Sequence, residues 1–264
     1  MAKDKKLTRE AVYELLEQKY QAYNKLSFIA DDPVQVPHRY SKKQDIEIAG
    51  FFAATLAWGQ RVTIIRNTTR ILELMDNSPH DFILNHEDKD LKRFLGFVHR
   101  TFNDTDLLYF IEFFKWFYNN HDSLEYAFAS GMSARSVHTE SALIGFQELF
   151  FSLEDHPQRT KKHISSPARK STCKRLNMYL RWMIRKDKKG VDFGIWKDIN
   201  PSQLLIPLDV HVDRHARGLG LLKRKQTDWQ AVLELTESLR SFDPADPVKY
   251  DFALFGMGVL DKMP

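Results

Sequence analysis

Two side chains with chemistry to offer stand at either end of one stretch of this chain. Lys174 lies in K-S-T-C-K-R-L-N-M-Y-L-R-W-M-I-R-K, and Asp209, 35 positions on, lies in I-P-L-D-V-H-V-D-R-H-A-R. A neutral lysine amine attacks electrophilic carbon and can form a Schiff base, and a carboxylate beside a centre gaining positive charge stabilises the transition state. Lys170 stands one helical turn before Lys174 and offers the same amine, so two lysines compete for that role. Asp209 also precedes residues with helical apolar spacing, where an aspartate is a good N-cap, and capping alone explains its presence there.

Other residue patterns bear on the same stretch. His211 and His215 are spaced i,i+4, which permits a shared metal with Asp209 or Asp213 and a metal-dependent hydrolase. Histidines so spaced are more often ordinary core or surface residues, and no metal is expected. Between positions 159 and 175 the chain carries Arg159, Lys161, Lys162, Arg169, Lys170, Lys174 and Arg175 with no acidic residue. Such a run either draws a polyanion to one place or is a solvated loop.

The elements that must position these groups are helical. Phe and Trp are plentiful, Gly and Pro are sparse, and no period-2 alternation recurs. The spacing predicts an amphipathic helix over 8–24 capped by Thr8, and a helix opening at Ser41 that is apolar almost all round by 49–58. Between them Pro33 and Pro37 predict an extended connector. A strongly aromatic helix follows from Thr105, and core packing is the common reason for so many rings. Helices over 171–186, from Asp209, from Thr227 or Asp228 to about 239, and over 248–260 complete the reading. In the helix over 171–186, Leu176, Tyr179, Leu180 and Met183 form the apolar stripe, with Arg181 and Arg185 elsewhere around the cylinder. The expected class is all-α with two lobes, one spanning 41–165 and the other 1–40 with 166–264.

Composition narrows the classes. The chain has 264 residues, 43% of them hydrophobic, so it can bury a real core. A single cysteine excludes a disulfide framework and a four-cysteine zinc or iron–sulfur site. No stretch has the apolar length of a membrane span, and the first residues carry charges without an apolar core. A soluble cytoplasmic monomer with no cofactor is the expectation. The net charge of +4 is too small to name a partner by itself.

The segment I-P-L-D-V-H-V-D-R-H-A-R-G-L-G-L resembles the helix-hairpin-helix DNA glycosylase superfamily. Its members carry V-P-V-D-T-H-V or V-P-V-D-V-H-M, with the catalytic aspartate fourth, the position of Asp209. The similarity extends back to F-F-A-A-T-L-A-W-G-Q-R, which looks like the superfamily's early buried helix ending in S-x-Q-x-T-D, and forward to the F-A-L-F-G-M-G helix. Over nearly its whole length the chain is similar to a family of uncharacterised bacterial proteins within or beside that superfamily. Two departures stand out. The superfamily's hairpin L-P-G-V-G-x-K-T-A corresponds here to S-S-P-A-R-K-S-T-C-K-R-L-N, which lacks both glycines. The gap from lysine to aspartate is closest to that of the archaeal 8-oxoguanine glycosylases.

The resemblance implies a base-excision repair glycosylase with lyase activity, acting on double-stranded DNA that holds a damaged base. Lys174, or Lys170 one turn earlier, would attack C1′, and Asp209 would stabilise the charge developing on the sugar. Gln60 would fill the hole left by an extruded base, with Trp58, Trp182 and Trp196 as walls for that base. Arg159, Lys161, Lys162, Arg169 and Arg175 would hold the phosphates. No iron–sulfur appendage like that of some members is expected. The other reading is a non-catalytic nucleic-acid-binding protein with the same fold.

Overall fold

The computed structural model describes residues 7–259. Among them twelve α-helices are joined by short 3-10 turns and one two-stranded pair, so the chain is mostly helical. None of the described helices is long and apolar enough to cross a membrane. The chain forms two compact units, one made of residues through Phe28 together with those from Pro167 onward, the other of Ile29–Ser166.

The first unit contains α1 (Arg9–Tyr23), and the second contains α2 (Lys43–Thr55), α3 (Arg61–Leu74), α4 (Pro79–Asn85), α5 (Asp88–Leu91), α6 (Asp104–Tyr118), α7 (Glu125–Ala129) and α8 (Glu140–Phe150). The chain then returns to the first unit for α9 (Lys174–Ile184), α10 (Val210–Gly218), α11 (Trp229–Arg240) and α12 (Asp251–Val259). The antiparallel strands β1 (Val98–His99) and β2 (Phe102–Asn103) form a tight hairpin ahead of α6.

Local chemistry explains most boundaries. Thr8 caps α1 by accepting the Ala11 N–H at 3.2 Å, and Asp228 caps α11 by accepting from Ala231. At α6 the cap is Asn103, in a reciprocal box with Asp106, so the helix opens at Asp104, one residue before the expected Thr105. Ser41 does not cap α2: the N-cap is Lys42, with no side-chain bond. Pro33 and Pro37 each open a 3-10 turn instead of extending the chain, because a fixed φ suits the first helical position. Those turns bury Val34 and Val36 and pack against α2, so residues 29–40 belong with the second unit. The last helix starts at Asp251 after a 3-10 turn at Pro247–Tyr250, and position 260 of the expected helix lies outside the described residues.

The second unit's core is aromatic. Phe51 and Phe52 of α2 meet Phe110 and Phe114 of α6, with Phe51 edge-on to Phe114 at 5.4 Å between centroids. Phe113 lies 4.3 Å from Phe150 of α8, and Phe128 stacks on Phe146 at 4.0 Å. Each such pair contributes about 0.5–1.5 kcal/mol beyond burial, so these rings are structural.

In the first unit α12 lies close to both α1 and α10. A Cβ on Gly256 would strike the Tyr23 ring, and one on Gly258 would strike His211 at 2.7 Å. The G-M-G sequence thus brings the α12 backbone against a ring on either side, and α10 is held by that contact.

Candidate active site

The turn leading into α9 contains no glycine. A 3-10 turn at Pro167–Arg169 leads to Lys170 at φ +60°, and Cys173 follows at φ +49°, immediately before Lys174 opens the helix. Each left-handed non-glycine residue carries about 1–2 kcal/mol of steric cost, so the surroundings must hold the turn. They do so at three points. The Lys170 carbonyl accepts the Trp229 N–H at 3.1 Å, the Cys173 carbonyl accepts Asn177 N–H at 2.9 Å, and the Asn177 side-chain amide donates to the Thr172 carbonyl at 3.1 Å. Lys170 is thereby fixed by its backbone while its side chain is exposed. Lys174 is half-buried, and its amine has no hydrogen-bond or ion-pair partner among the described residues. Burial pulls the neighbouring Arg175 guanidinium down to about 10.

Asp209 is the N-cap of α10. Its Oδ1 accepts the N–H groups of His211 and Val212, both at 2.9 Å. The preceding 204–208 segment is buried, and the Ile206 N–H donates to the Thr236 hydroxyl at 3.1 Å, which anchors the approach to α10. The carboxylate is partly exposed at the end of this anchored segment.

A third charged group, Asp251, is the first residue of α12. This buried carboxylate accepts from Arg181 Nη1. Burial pushes Asp251 up to about 7 even though Arg181 opposes the shift; the negative charge of Asp209 raises it further and the positive charge of Lys174 lowers it. Both chemically suggestive side chains therefore act on one buried carboxylate.

Behind this group runs a network centred on two arginines that the spacing sets off the apolar stripe of α9. Arg181 and Arg185 are only 4% and 1% exposed. Arg181 Nε reaches Asp192 at 3.3 Å, while Arg185 reaches Asp192 at 3.0 Å, Asp187 at 2.8 Å and Asp246 at 2.8 Å. The Tyr20 hydroxyl accepts from Arg185 at 2.8 Å and donates to Asp187 at 3.1 Å. Arg181 also lies 4.4 Å over the Phe252 ring. Burial raises Asp187, but Arg185, the Lys189 N–H and the Asn24 amide outweigh it and hold the carboxyl at about 2. The missed signal was the supply of carboxylates at Asp187, Asp192, Asp246 and Asp251, all outside the helix itself.

Trp182 and Trp196, expected as walls for an everted base, lie in the core at 0% and 1% exposure. Trp196 stands edge-on to Tyr179 at 5.4 Å, and its backbone N–H joins the Met183 carbonyl at 3.0 Å. The Phe193 N–H likewise bonds the Trp182 carbonyl at 2.8 Å, so the chain beyond α9 folds back over that helix's last turn. Both indoles are spent on packing, which closes them to a base in this conformation.

The remaining candidates belong to the second unit. Trp58 stacks on His163 at 5.9 Å and receives His99 edge-on at 4.9 Å, while Gln60 is exposed at the N-terminus of α3. Arg159 is bound to Asp106 at 2.5 Å and to the Asn103 side chain, and His163 meets the same Asp106 at 3.2 Å. Lys161 is half-buried and Lys162 exposed. The basic run is thus divided: Arg159, Lys161 and Lys162 fall in one unit, exposed Arg169 and half-buried Arg175 in the other.

The histidine pair does not build a metal centre with its aspartates. Asp209 is committed to two backbone N–H groups, and Asp213 to Arg217 at 2.8 and 3.0 Å and to Thr227 at 3.1 Å. Among the described residues no group of three His, Cys, Asp or Glu side chains is gathered for a metal. His211 lies against Gly258 and edge-on to Phe255 at 6.2 Å, a packing role.

Comparison with known families places the chain in one of them. The family model described as "Protein of unknown function (DUF2400)" matches residues 32–260, and the chain belongs to that family. No curated protein and no solved structure matches the chain.

Proposed function

We propose that this member of the DUF2400 family is a DNA base-excision glycosylase with associated lyase activity, Lys174 being the nucleophile and Asp209 its electrostatic partner. The observation that carries the proposal is that Lys174 and Asp209 each bring their charge within electrostatic reach of one buried carboxylate, Asp251. A second observation supports it. The hairpin of the resembled superfamily puts its first glycine four residues before the lysine, and here Lys170 holds a left-handed backbone at that position.

In this reading a deprotonated Lys174 amine bonds to C1′ as the C1′–N bond breaks, and the electron pair leaves with the base, which is protonated. Asp209 lowers the energy of the cationic sugar at that moment, as a fixed carboxylate does for an oxocarbenium-like centre. Loss of the second amine proton and opening of the ring give an imine, and removal of a C2′ proton then expels the 3′ phosphate.

Borohydride trapping on duplexes that each hold one oxidised, alkylated or abasic site tests the proposal. Wild type and Lys170→Gln form a covalent adduct with at least one duplex, and Lys174→Gln forms none. Asp209→Asn slows the reaction by about 10²–10³-fold. Absence of product from every duplex overturns the enzyme reading. It would favour the second one, a non-catalytic nucleic-acid-binding protein, which the sealed positions of Trp182 and Trp196 support.

A further inference from the structure

A groove of about 860 Å³ runs along the outer face of α3 in the second unit. Four arginines line it: Arg39 from a 3-10 turn, and Arg61, Arg66 and Arg70 from α3. Two carboxylates, Asp31 and Glu73, share the groove. Arg66 and Arg70 are exposed, and neither they nor Arg39 forms an ion pair or side-chain hydrogen bond among the described residues. Three guanidinium groups gathered in this way are a ready set of donors for anionic oxygens.

The order of residues on α3 indicates which anion. Gln60, exposed and not engaged in capping its own helix, sits at the N-terminus, and Arg61 follows it directly. From there the arginines continue down the helix, Arg66 and Arg70 being one turn apart, about 6 Å in rise. On the glycosylase reading Gln60 is the side chain that enters the duplex, and cations then step along the same element at intervals that successive phosphates can meet. The groove's apolar residues argue against a protein ligand. Val62, 77% exposed, and Ile65 form a single i,i+3 pair, too little for a helical peptide that needs anchors at i, i+3, i+4 and i+7. No aromatic side chain lines the groove, so bases have nothing to stack on and contact falls to the backbone.

We propose that this arginine groove seats the phosphate backbone of double-stranded DNA, an inference that rests on the glycosylase reading for its partner. Phosphate contacts of this kind position a duplex without reading its sequence.

The test is binding of the full chain to a fluorescent duplex without any lesion, measured across a salt series. Wild type binds with a steep salt dependence. Arg66→Gln/Arg70→Gln lowers affinity about tenfold or more at physiological salt and makes the logarithmic salt slope shallower by about 2, close to 0.9 for each phosphate no longer neutralised. Arg135→Gln, at another exposed site in the same unit, leaves both unchanged, and matched melting temperatures show that all variants are folded. An unchanged slope in the double variant overturns the proposal. So does binding of an acidic amphipathic peptide by a wild-type protein that ignores the duplex. The two proposals fail separately: a protein that binds undamaged duplex through these arginines yet never traps a lesion loses only the enzyme reading. One that traps a lesion with its affinity indifferent to Arg66 and Arg70 loses only the groove.

Discussion

Helices α3 and α9 have the same pair of arginines at i,i+4 and opposite uses for it. Arg66 and Arg70 are exposed, without carboxylate partners among the described residues, whereas Arg181 and Arg185 are buried among Asp187, Asp192, Asp246 and Asp251. The segments leading into the two helices differ as well. Gly59, at φ +104°, precedes α3, and a Cβ there would lie 3.0 Å from Arg100; α9 follows Lys170 and Cys173, which take left-handed backbones without being glycine. Burial of a cation is therefore decided by what folds over the helix. The α3 arginines remain available to a ligand, while those of α9 hold together the elements around Lys174 and Asp209.

The largest effect that separates the two helices is in stability. Arg185→Ala takes the buried cation from half-buried Asp246 and Asp187 and leaves buried Asp192 with Arg181 alone, and is expected to cost about 3–5 kcal/mol, enough to shift or abolish cooperative unfolding. Denaturant titration reads it directly. If Arg185→Ala is as stable as wild type, the network is not what holds α9, and the contrast with α3 disappears.

A second effect is in pH. Asp251 is pushed up to about 7 by burial, above its value in the unfolded chain, so the folded state binds more protons between about pH 4 and 7 and stability from this group falls as pH rises through that window. Asp187 has the opposite sign. Its contribution is complete above its unfolded value near 3.8 and is lost as pH falls through about 2. The slope of stability against pH between 4 and 7 is thus expected to become more positive in Asp251→Asn than in wild type. Identical slopes would mean that Asp251 is ionised throughout, and burial would not be what sets its charge.

The contrast also marks how far the sequence could be read. Caps at Thr8, Asp209 and Asp228, the buried α2 and the aromatic α6 follow from local spacing, because the groups that satisfy them lie within a turn. Arg181 and Arg185 defeat the same reasoning. Their amphipathic stripe is real, but Asp246 and Asp251 join them from across 61 and 70 residues, and no local pattern announces that pairing. Trp182 and Trp196 fail for a related reason: an aromatic residue near a suggestive motif is spent on packing unless a cavity opens beside it. Lys174 and Asp209 were legible as chemical types, whereas Asp251, which both charges reach, lies 42 positions beyond Asp209 and carries no motif.

The smallest effects test the turns ahead of the two helices. Lys170→Gly removes an exposed side chain from a left-handed backbone while leaving its carbonyl bond to Trp229, so relief of strain competes only with added freedom in the unfolded chain. A net stabilisation of about 0.5–1 kcal/mol is expected, visible as a small rise in melting temperature. Gly59→Ala is expected to go the other way by a similar or larger amount, since an alanine at φ +104° is strained and crowds Arg100. Should Lys170→Gly destabilise instead, the Lys170 side chain must be held by contacts of its own. Lys170 would then compete with Lys174 for the role of nucleophile on structural grounds as well as by its position one turn earlier.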